Sequence, residues 1–306
     1  MTLGARAPGT DRRALLILNP RAARGGGTGL ETKLRAAAQA CGWEAEVRTT
    51  TRAGQETEFA AAARRDEWPV VVAVGGDGTV HGVANGLLAG GDPAVLGHVP
   101  IGTGNDFAKL LGLRPGNVEA NLRRVLDGEV RRFDVGRALD EFFINGMGIG
   151  FGAEVVRQAL RMDHLSGFAL YLAAVYRSFW AFEPIGLRVT SVEHREDAKM
   201  TMMEISLGVS AGGGFRLTPD AKPDDGLFDV CIIRKVSTFQ FLRYVPRVVR
   251  GTHGGLPPVH LFQTASLAVT SDRPMAVHFD GELRLPDDQE VTVELLPGRL
   301  PVLCAR

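Results

Sequence analysis

Cysteine is scarce in this chain, with Cys41, Cys231 and Cys304 the whole supply. The number is odd, the positions are scattered and no CxxC pair occurs, which argues against a disulfide framework or a zinc knuckle and for a reducing compartment. Long apolar runs are also missing. The longest uncharged one covers residues 168–176 and is ended by Arg177, whereas a spanning helix needs roughly twenty residues. The apolar stretch at 14–18 is too short for the core of a secretory signal. The expectation is a soluble or peripheral cytoplasmic protein. Neither sign of charge is in excess: Lys+Arg and Asp+Glu are both 35. That speaks against a net-basic nucleic-acid binder. No Gly-Lys pair exists, so there is no P-loop.

What remains is an ordinary globular composition over 306 residues, 45% hydrophobic and 23% charged. That is enough chain for one large domain or two of typical size. The first ten residues read as a loose tail. Residues 14–18, 44–50 and 70–74 read as strands, and 30–41, 55–65 and 80–88 as helices, with a glycine-rich loop at 21–29. Strand, loop and helix alternate, which predicts an α/β layer with a parallel sheet. Past residue 133 the pattern changes. Strands are predicted at 133–137, 141–146, 186–192, 200–210, 226–234, 266–270, 275–279 and 290–296. Helices are predicted at 153–162, 168–179 and 238–249. The domain boundary falls at 133/134, giving an α/β domain over 1–133 and a β-rich domain over 134–306.

Five consecutive residues, Gly75, Gly76, Asp77, Gly78 and Thr79, follow the cleanest strand at once. Glycines let a backbone approach a ligand closely, and the helix that follows presents free N–H groups, so the loop suits a phosphate. Asp77 could hold a metal that bridges phosphate oxygens; the same residues also suit a tight turn with a capping Asp. A second loop, residues 102–107, follows Ile101. Thr103 and Asn105 offer polar groups to phosphate or ribose, and Asp106 suits an N-cap. Asn19, Pro20 and Arg21 form a third loop after a strand. All three would lie at the carboxyl edge of one sheet, where open α/β sheets bind ligands.

Other patterns are weaker. Residues 148–153 match GxGxxA, but no acidic residue stands at the spacing that would take a ribose, and close packing is the better reading. Residues 222–229 gather three carboxylates around a turn without EF-hand spacing. Phe279-Asp280-Gly281-Glu282 reads as a hairpin turn. His98, His194, His253 and His260 stand apart in sequence without metal-ligand spacing and are expected at the surface or in the core. Residues 165–182 are rich in aromatics and suit core packing or a lipid-facing surface.

In order along the chain, ILNPRA at 17–22, GGDGTVHGVANGL at 75–87, VPIGTGNDFAKLLG at 99–112, NGMGIGFGAEV at 145–155, GGGFRLTPDAKPDDGLFDV at 212–230 and FDGE at 279–282 resemble the diacylglycerol kinase and sphingosine kinase superfamily, in its small soluble bacterial branch. GGDGT alone also occurs in NAD kinases and phosphofructokinases; the later elements are more specific. At 81–82 the chain has His-Gly where the family usually has Asn-Glu.

The resemblance implies an NAD kinase/diacylglycerol kinase-like architecture: a Rossmann-like α/β nucleotide-binding domain, a C-terminal β-sandwich-like domain, and an active site between them. Residues 297–306 are expected to return to the first domain. It implies ATP contacts from Asn19, Pro20, Arg21, Thr50, Gly75, Gly76, Asp77, Gly78, Thr79, Val80, His81, Thr103 and Asn105. Glu282 would be the general base, with Asp77 also catalytic. A structural Mg²⁺ would take backbone oxygens of Lys222 and Leu227 and the Asp225 carboxylate. The implied reaction is ATP-dependent, Mg²⁺-dependent phosphorylation of a lipid hydroxyl, diacylglycerol first, on a peripherally bound membrane surface. A homodimer is left open and no nucleic acid is expected. The competing readings are a soluble-metabolite kinase of the NAD kinase type and a catalytically silent nucleotide or lipid sensor.

Overall fold

The computed structural model describes residues 11–22, 29–162, 165, 167–180 and 182–305. The expected N-terminal tail, most of the glycine-rich loop at 21–29 and part of the segment between the helices predicted at 153–162 and 168–179 lie outside them. The chain divides into two compact units, residues 1–133 with 298–306, and residues 134–297.

In the first unit, short apolar runs make three buried strands, β1 (Arg13–Leu18), β3 (Val70–Gly75) and β4 (Val95–Pro100), and the charged run at 44–49 makes an edge strand, β2 (Glu44–Thr49), with only Val47 buried. All pair in parallel, in the order β2–β1–β3–β4. A long strand, β15 (Glu290–Cys304), begins in the second unit, and Val302 near its end pairs in parallel with Leu96 of β4. Helices α1 (Leu30–Ala40), α2 (Gln55–Arg65), α3 (Asp77–Leu88), α4 (Asp106–Leu110) and α5 (Val118–Leu126) connect and cover them.

Two glycines set how closely α3 lies on α2. A Cβ at Gly82 would stand 2.5 Å from Glu56 Cγ, and one at Gly86 would stand 2.3 Å from the Thr57 carbonyl. Helix α3 starts at Asp77, three residues before the predicted residue 80, because the loop glycines themselves enter the first turn. Asp106 is not an N-cap: Asn105 precedes α4 in the left-handed conformation, and Asp106 pairs with Lys109 Nζ at 2.6 Å.

The second unit is built on antiparallel strands. They are β5 (Glu129–Ala138, which starts in the first unit), β6 (Glu141–Phe143), β7 (Gly146–Gly150), β8 (Ile185–Thr190), β9 (Arg195–Ser206), β10 (Phe228–Arg234), β11 (Val259–Thr264), β12 (Ser266–Ser271), β13 (Val277–Phe279), β14 (Glu282–Arg284) and the first part of β15. The order runs β14–β13–β7–β9–β8–β12–β15, with β10 pairing both β9 and β11. Phe143 stacks against Phe228 and Phe279 at ring-centroid distances of 5.6 and 6.0 Å in one core cluster. A second cluster lies under α6 (Phe151–Ala159), α7 (Gly167–Phe179) and α8 (Thr238–Arg250). The predicted aromatic helix therefore contributes to a core. Phe179 and Phe241 stack at 3.9 Å, joining the end of α7 to the start of α8.

Residues 141–146 are not one strand as expected. Ile144 and Asn145 break the run because their N–H groups turn to a carboxylate rather than to a neighbouring strand. The GxGxxA segment is the β7–α6 junction. Its Gly148 leaves room for His278, whose Nε2 would lie 2.2 Å from a Cβ there, in keeping with close packing.

Candidate active site

In the first unit the three polar loops follow neighbouring parallel strands and touch one another. The backbone N–H of Asn19 donates to the Val74 carbonyl at 3.0 Å, and Asn19 Nδ2 donates to Thr79 Oγ1 at 3.0 Å. The first loop is thereby tied to the GGDGT loop. Arg21 N–H returns to Asn19 Oδ1, and the Arg21 guanidinium donates to the Thr51 carbonyl. Thr50 is buried beside this loop, its N–H on the Leu18 carbonyl at 2.8 Å.

The GGDGT loop and the 102–105 loop meet backbone to backbone. A Cβ on Gly102 would stand 2.3 Å from Gly76 Cα. Asn105 holds the second loop, taking the Gly102 N–H at 3.1 Å and donating to the Gly102 carbonyl at 2.6 Å. Thr103 lies half-buried between them. Gly75 cannot carry a side chain either, since its Cβ would stand 2.2 Å from Thr79 Oγ1.

Asp77 sits where the two loops join. Its carboxylate takes the Phe107 N–H at 3.3 Å, so it braces the neighbouring loop rather than capping its own helix. Burial, reinforced by the Asp106 charge, pushes its carboxyl up to about 7. A half-buried carboxylate beside a second acid is a position that a cation would relieve. His98 braces the same loop from below. Fully buried on β4, its Nε2 faces the Gly75 carbonyl at 3.3 Å, and burial lowers its pKa to about 4, so the ring stays neutral. The expectation that His98 lies at the surface or in the core is met in the core, but its contact with Gly75 has no mark in the neighbouring sequence.

Not every expected nucleotide contact presents a side chain. Val80 is in the core, so only its backbone can serve a ligand. His81 is buried on α3, with Asn85 donating to its carbonyl at 3.0 Å. Beside Gly82 the Glu56 side chain of α2 fills the space, its Oε1 3.1 Å from where a Cβ would be. The first unit thus gathers Asn19 to Arg21, Thr50, Gly75 to Thr79, Thr103 and Asn105.

In the second unit, Asp280 and Gly281 have φ of 51° and 92°, the two left-handed residues of a tight hairpin between β13 and β14. The two carboxylates of this turn differ sharply. Asp280 is buried and accepts the N–H groups of Ile144, Asn145 and Gly146 at 3.1, 2.8 and 2.9 Å. Glu282 is half-buried, and its carboxylate has no hydrogen-bond or ion-pair partner among the described residues. Arg284 fixes β14 by a two-pronged pair with Glu141 at 2.8 and 2.6 Å.

Lys222, Asp225 and Leu227 lie together in an exposed to half-exposed turn. Asp134 holds it: its N–H donates to the Pro223 carbonyl, and its carboxylate takes the Gly226 N–H at 2.8 Å. Nearby, Asp229 is pushed up by burial, pulled down by the Gln263 bond, and raised further by the charges of Asp225 and Asp220. A turn of carboxylates and carbonyl oxygens under mutual repulsion is a hard donor set, which fits Mg²⁺.

Comparison with known proteins gives this arrangement a family. Residues 13–138 match the diacylglycerol kinase catalytic domain, and residues 146–304 match the YegS C-terminal NAD kinase beta sandwich-like domain. The chain is 31% identical over 279 residues to a diacylglycerol kinase of Bacillus subtilis, covering 89% of this chain and 90% of that one. It is 30% identical over 257 residues to a probable lipid kinase YegS-like protein of Chromohalobacter salexigens, covering 83% and 82%. A solved structure described as a diacylglycerol kinase from Bacillus anthracis superposes with a TM-score of 0.75 at 21% identity, over 96% of this chain and 97% of that one. The chain belongs to the diacylglycerol kinase family of lipid kinases, in the form that joins the catalytic domain to a YegS-type C-terminal domain.

Proposed function

We propose that the protein transfers the γ-phosphoryl group of ATP to a lipid hydroxyl, with diacylglycerol as acceptor and phosphatidic acid as product. The observation that carries this reading is the backbone contact of Gly76 with Gly102, which leaves no side chain between two N–H-rich loops at the ends of adjacent parallel strands. Such a surface suits a phosphate group. The name of the B. subtilis relative supports the choice of acceptor.

Phosphoryl transfer asks the protein for positioning and charge neutralisation more than for covalent chemistry. The loop N–H groups of Gly76 to Gly78 and of Thr103 and Gly104 hold the phosphates, with Asn19, Arg21 and Thr50 at the flank. Asp77 would be the carboxylate to hold a Mg²⁺ that supplies charge compensation to the phosphates, and the Asp225 carboxylate with the Lys222 and Leu227 carbonyls would hold a second Mg²⁺ in that turn. Glu282 takes the proton of the acceptor hydroxyl; Asp280 is saturated with N–H donors and unsuited to the task.

No helix among the described residues is long and apolar enough to cross a membrane, so the acceptor must be reached from the surface. Trp180, Phe239 and Leu242 are exposed around the Phe179–Phe241 stack, and Phe239, Leu242, Arg243 and Arg250 share the outer face of α8. Apolar side chains beside arginines are what an anionic interface retains. Liposome flotation tests the contact: wild-type protein should float with anionic vesicles, and Trp180→Ser with Phe239→Ser should not. Equal flotation of both would remove this face from the proposal.

The substrate is tested by offering diacylglycerol micelles and NAD separately with labelled ATP. Labelled phosphatidic acid is expected; labelled NADP would favour the metabolite-kinase reading.

A further inference from the structure

Two histidines far apart in sequence share one carboxylate in the second unit, against the expectation that each stands alone. His194 lies in the turn between β8 and β9. Ser191 fixes that turn, its N–H on the His194 carbonyl at 2.8 Å and its hydroxyl taking the His194 N–H at 3.0 Å. Glu196 is two residues on, near the start of β9, and its carboxylate returns to the His194 ring. His260 comes from β11, which pairs only with β10 among the described strands. His194 Nε2 and His260 Nδ1 lie 3.2 and 2.9 Å from the same oxygen, Glu196 Oε2. All three atoms lie within 4.8 Å of one another.

We propose that His194, Glu196 and His260 form a transition-metal site of the zinc type, which ties the edge strand β11 to β9 across β10. Two imidazoles and one carboxylate are a common zinc donor set, with a fourth position left to water. For bonds of about 2.0–2.1 Å, tetrahedral ligand atoms stand roughly 3.3 Å apart, near the distances between the histidine nitrogens and the carboxylate oxygen. A metal would replace two hydrogen bonds, and the ring proton of each neutral imidazole would move to its other nitrogen.

The surroundings fit that role. Glu196 is buried, while the two imidazoles are partly exposed, so an ion can enter without unfolding the sheet. Phe262 stacks on the His194 ring at 4.2 Å and fixes its plane. Arg234 Nε binds the other carboxylate oxygen, Oε1, and thereby orients Oε2, as outer partners of metal ligands do. Its Nη2 also lies 3.5 Å from His260 Nδ1. A fixed cation that close opposes a second one, so the site should bind reversibly and tighten when Arg234 is made neutral. The oxygen-rich turn at Asp225 is a different kind of site, without imidazole, and suits Mg²⁺.

The test uses chelator-treated full-length protein titrated with Zn²⁺ by calorimetry and with Co²⁺ by visible absorption. Wild type should bind one Zn²⁺ through these residues, show the intense bands of tetrahedral Co²⁺, and gain thermal stability with added zinc. His194→Ala and His260→Ala, both at partly exposed positions, should each weaken binding at least tenfold and lose the cobalt bands. Arg234→Gln should bind more tightly than wild type, and Asp225→Ala should leave the cobalt spectrum unchanged. Absence of zinc binding by wild type, or cobalt bands that persist in the double histidine variant, would overturn the proposal.

Discussion

The Asp280 carboxylate accepts the backbone N–H of Asn145 at 2.8 Å, across 135 positions of sequence. With the N–H groups of Ile144 and Gly146 on the same carboxylate, this bond fixes the hairpin that presents Glu282. One turn therefore carries two acids with separate duties. Asp280→Asn offers one acceptor oxygen where two now serve three donors, and it should cost roughly 2–4 kcal/mol of stability. Glu282→Gln should melt like wild type yet turn over at least a hundredfold more slowly, with ATP affinity little changed. Thermal melts and steady-state kinetics on both variants separate the roles. Near-normal turnover in Glu282→Gln would remove it as the base.

Asp77 should make the protein less stable as pH rises. Its carboxyl titrates near 7 in the fold and near 3.8 when unfolded, so between those values the folded state holds the extra proton. Stability then falls with rising pH across that window and levels off above it. Asp77→Asn, melted with chelator present, should exceed wild type by a few degrees at pH 8 and match it near pH 4. The same variant should lose activity by orders of magnitude. Parallel melting curves at both pH values would contradict the burial argument.

Gly76 and Gly102 make an asymmetric pair. An added Cβ would lie 2.3 Å from backbone in Gly102→Ala but 3.2 Å in Gly76→Ala. The first must push the loops apart, whereas the second needs a shift of tenths of an ångström. Gly102→Ala should weaken ATP binding more than tenfold, and Gly76→Ala should weaken it less. Calorimetry with a non-hydrolysable ATP analogue gives the order directly.

His98 should act as a neutral brace. With its pKa lowered to about 4, it gives no kinetic inflection between pH 6 and 8. His98→Leu removes the contact with the Gly75 carbonyl and should raise the KM for ATP severalfold while kcat changes less. His98→Gln, which keeps a donor, should recover part of the loss. Equal kinetics in wild type and His98→Leu would show that the Ile101 N–H, also on that carbonyl at 3.0 Å, suffices.

Much of this was legible in the sequence because it depends on local chemistry. Apolar runs stopped by Asn19-Pro20 and by the glycines at 75–76 located β1 and β3, and the Asp-Gly pair at 280–281 marked its hairpin. What escaped was chemistry made by pairing distant strands. Residues 259–264 lack a clean apolar–polar alternation, with Leu261 beside Phe262, and they follow Gly254, Gly255, Pro257 and Pro258. With β11 unseen, His260 could not be set beside His194. Glu282 was assigned as the base by resemblance alone, because sequence does not record that Asp280 is the carboxylate taken up by N–H groups. His98 stayed hidden for the same reason: its partner is a backbone carbonyl 23 positions away.

The central claim is that this chain phosphorylates a lipid alcohol with ATP. Mass spectrometry of a whole lipid extract, incubated with purified protein, Mg²⁺ and γ-¹⁸O-labelled ATP, tests it most directly. The account predicts labelled phosphatidic acid, formed by wild type and absent with Asp77→Asn or Glu282→Gln. ATP bound at the loops with no labelled lipid from any fraction of the extract would contradict it.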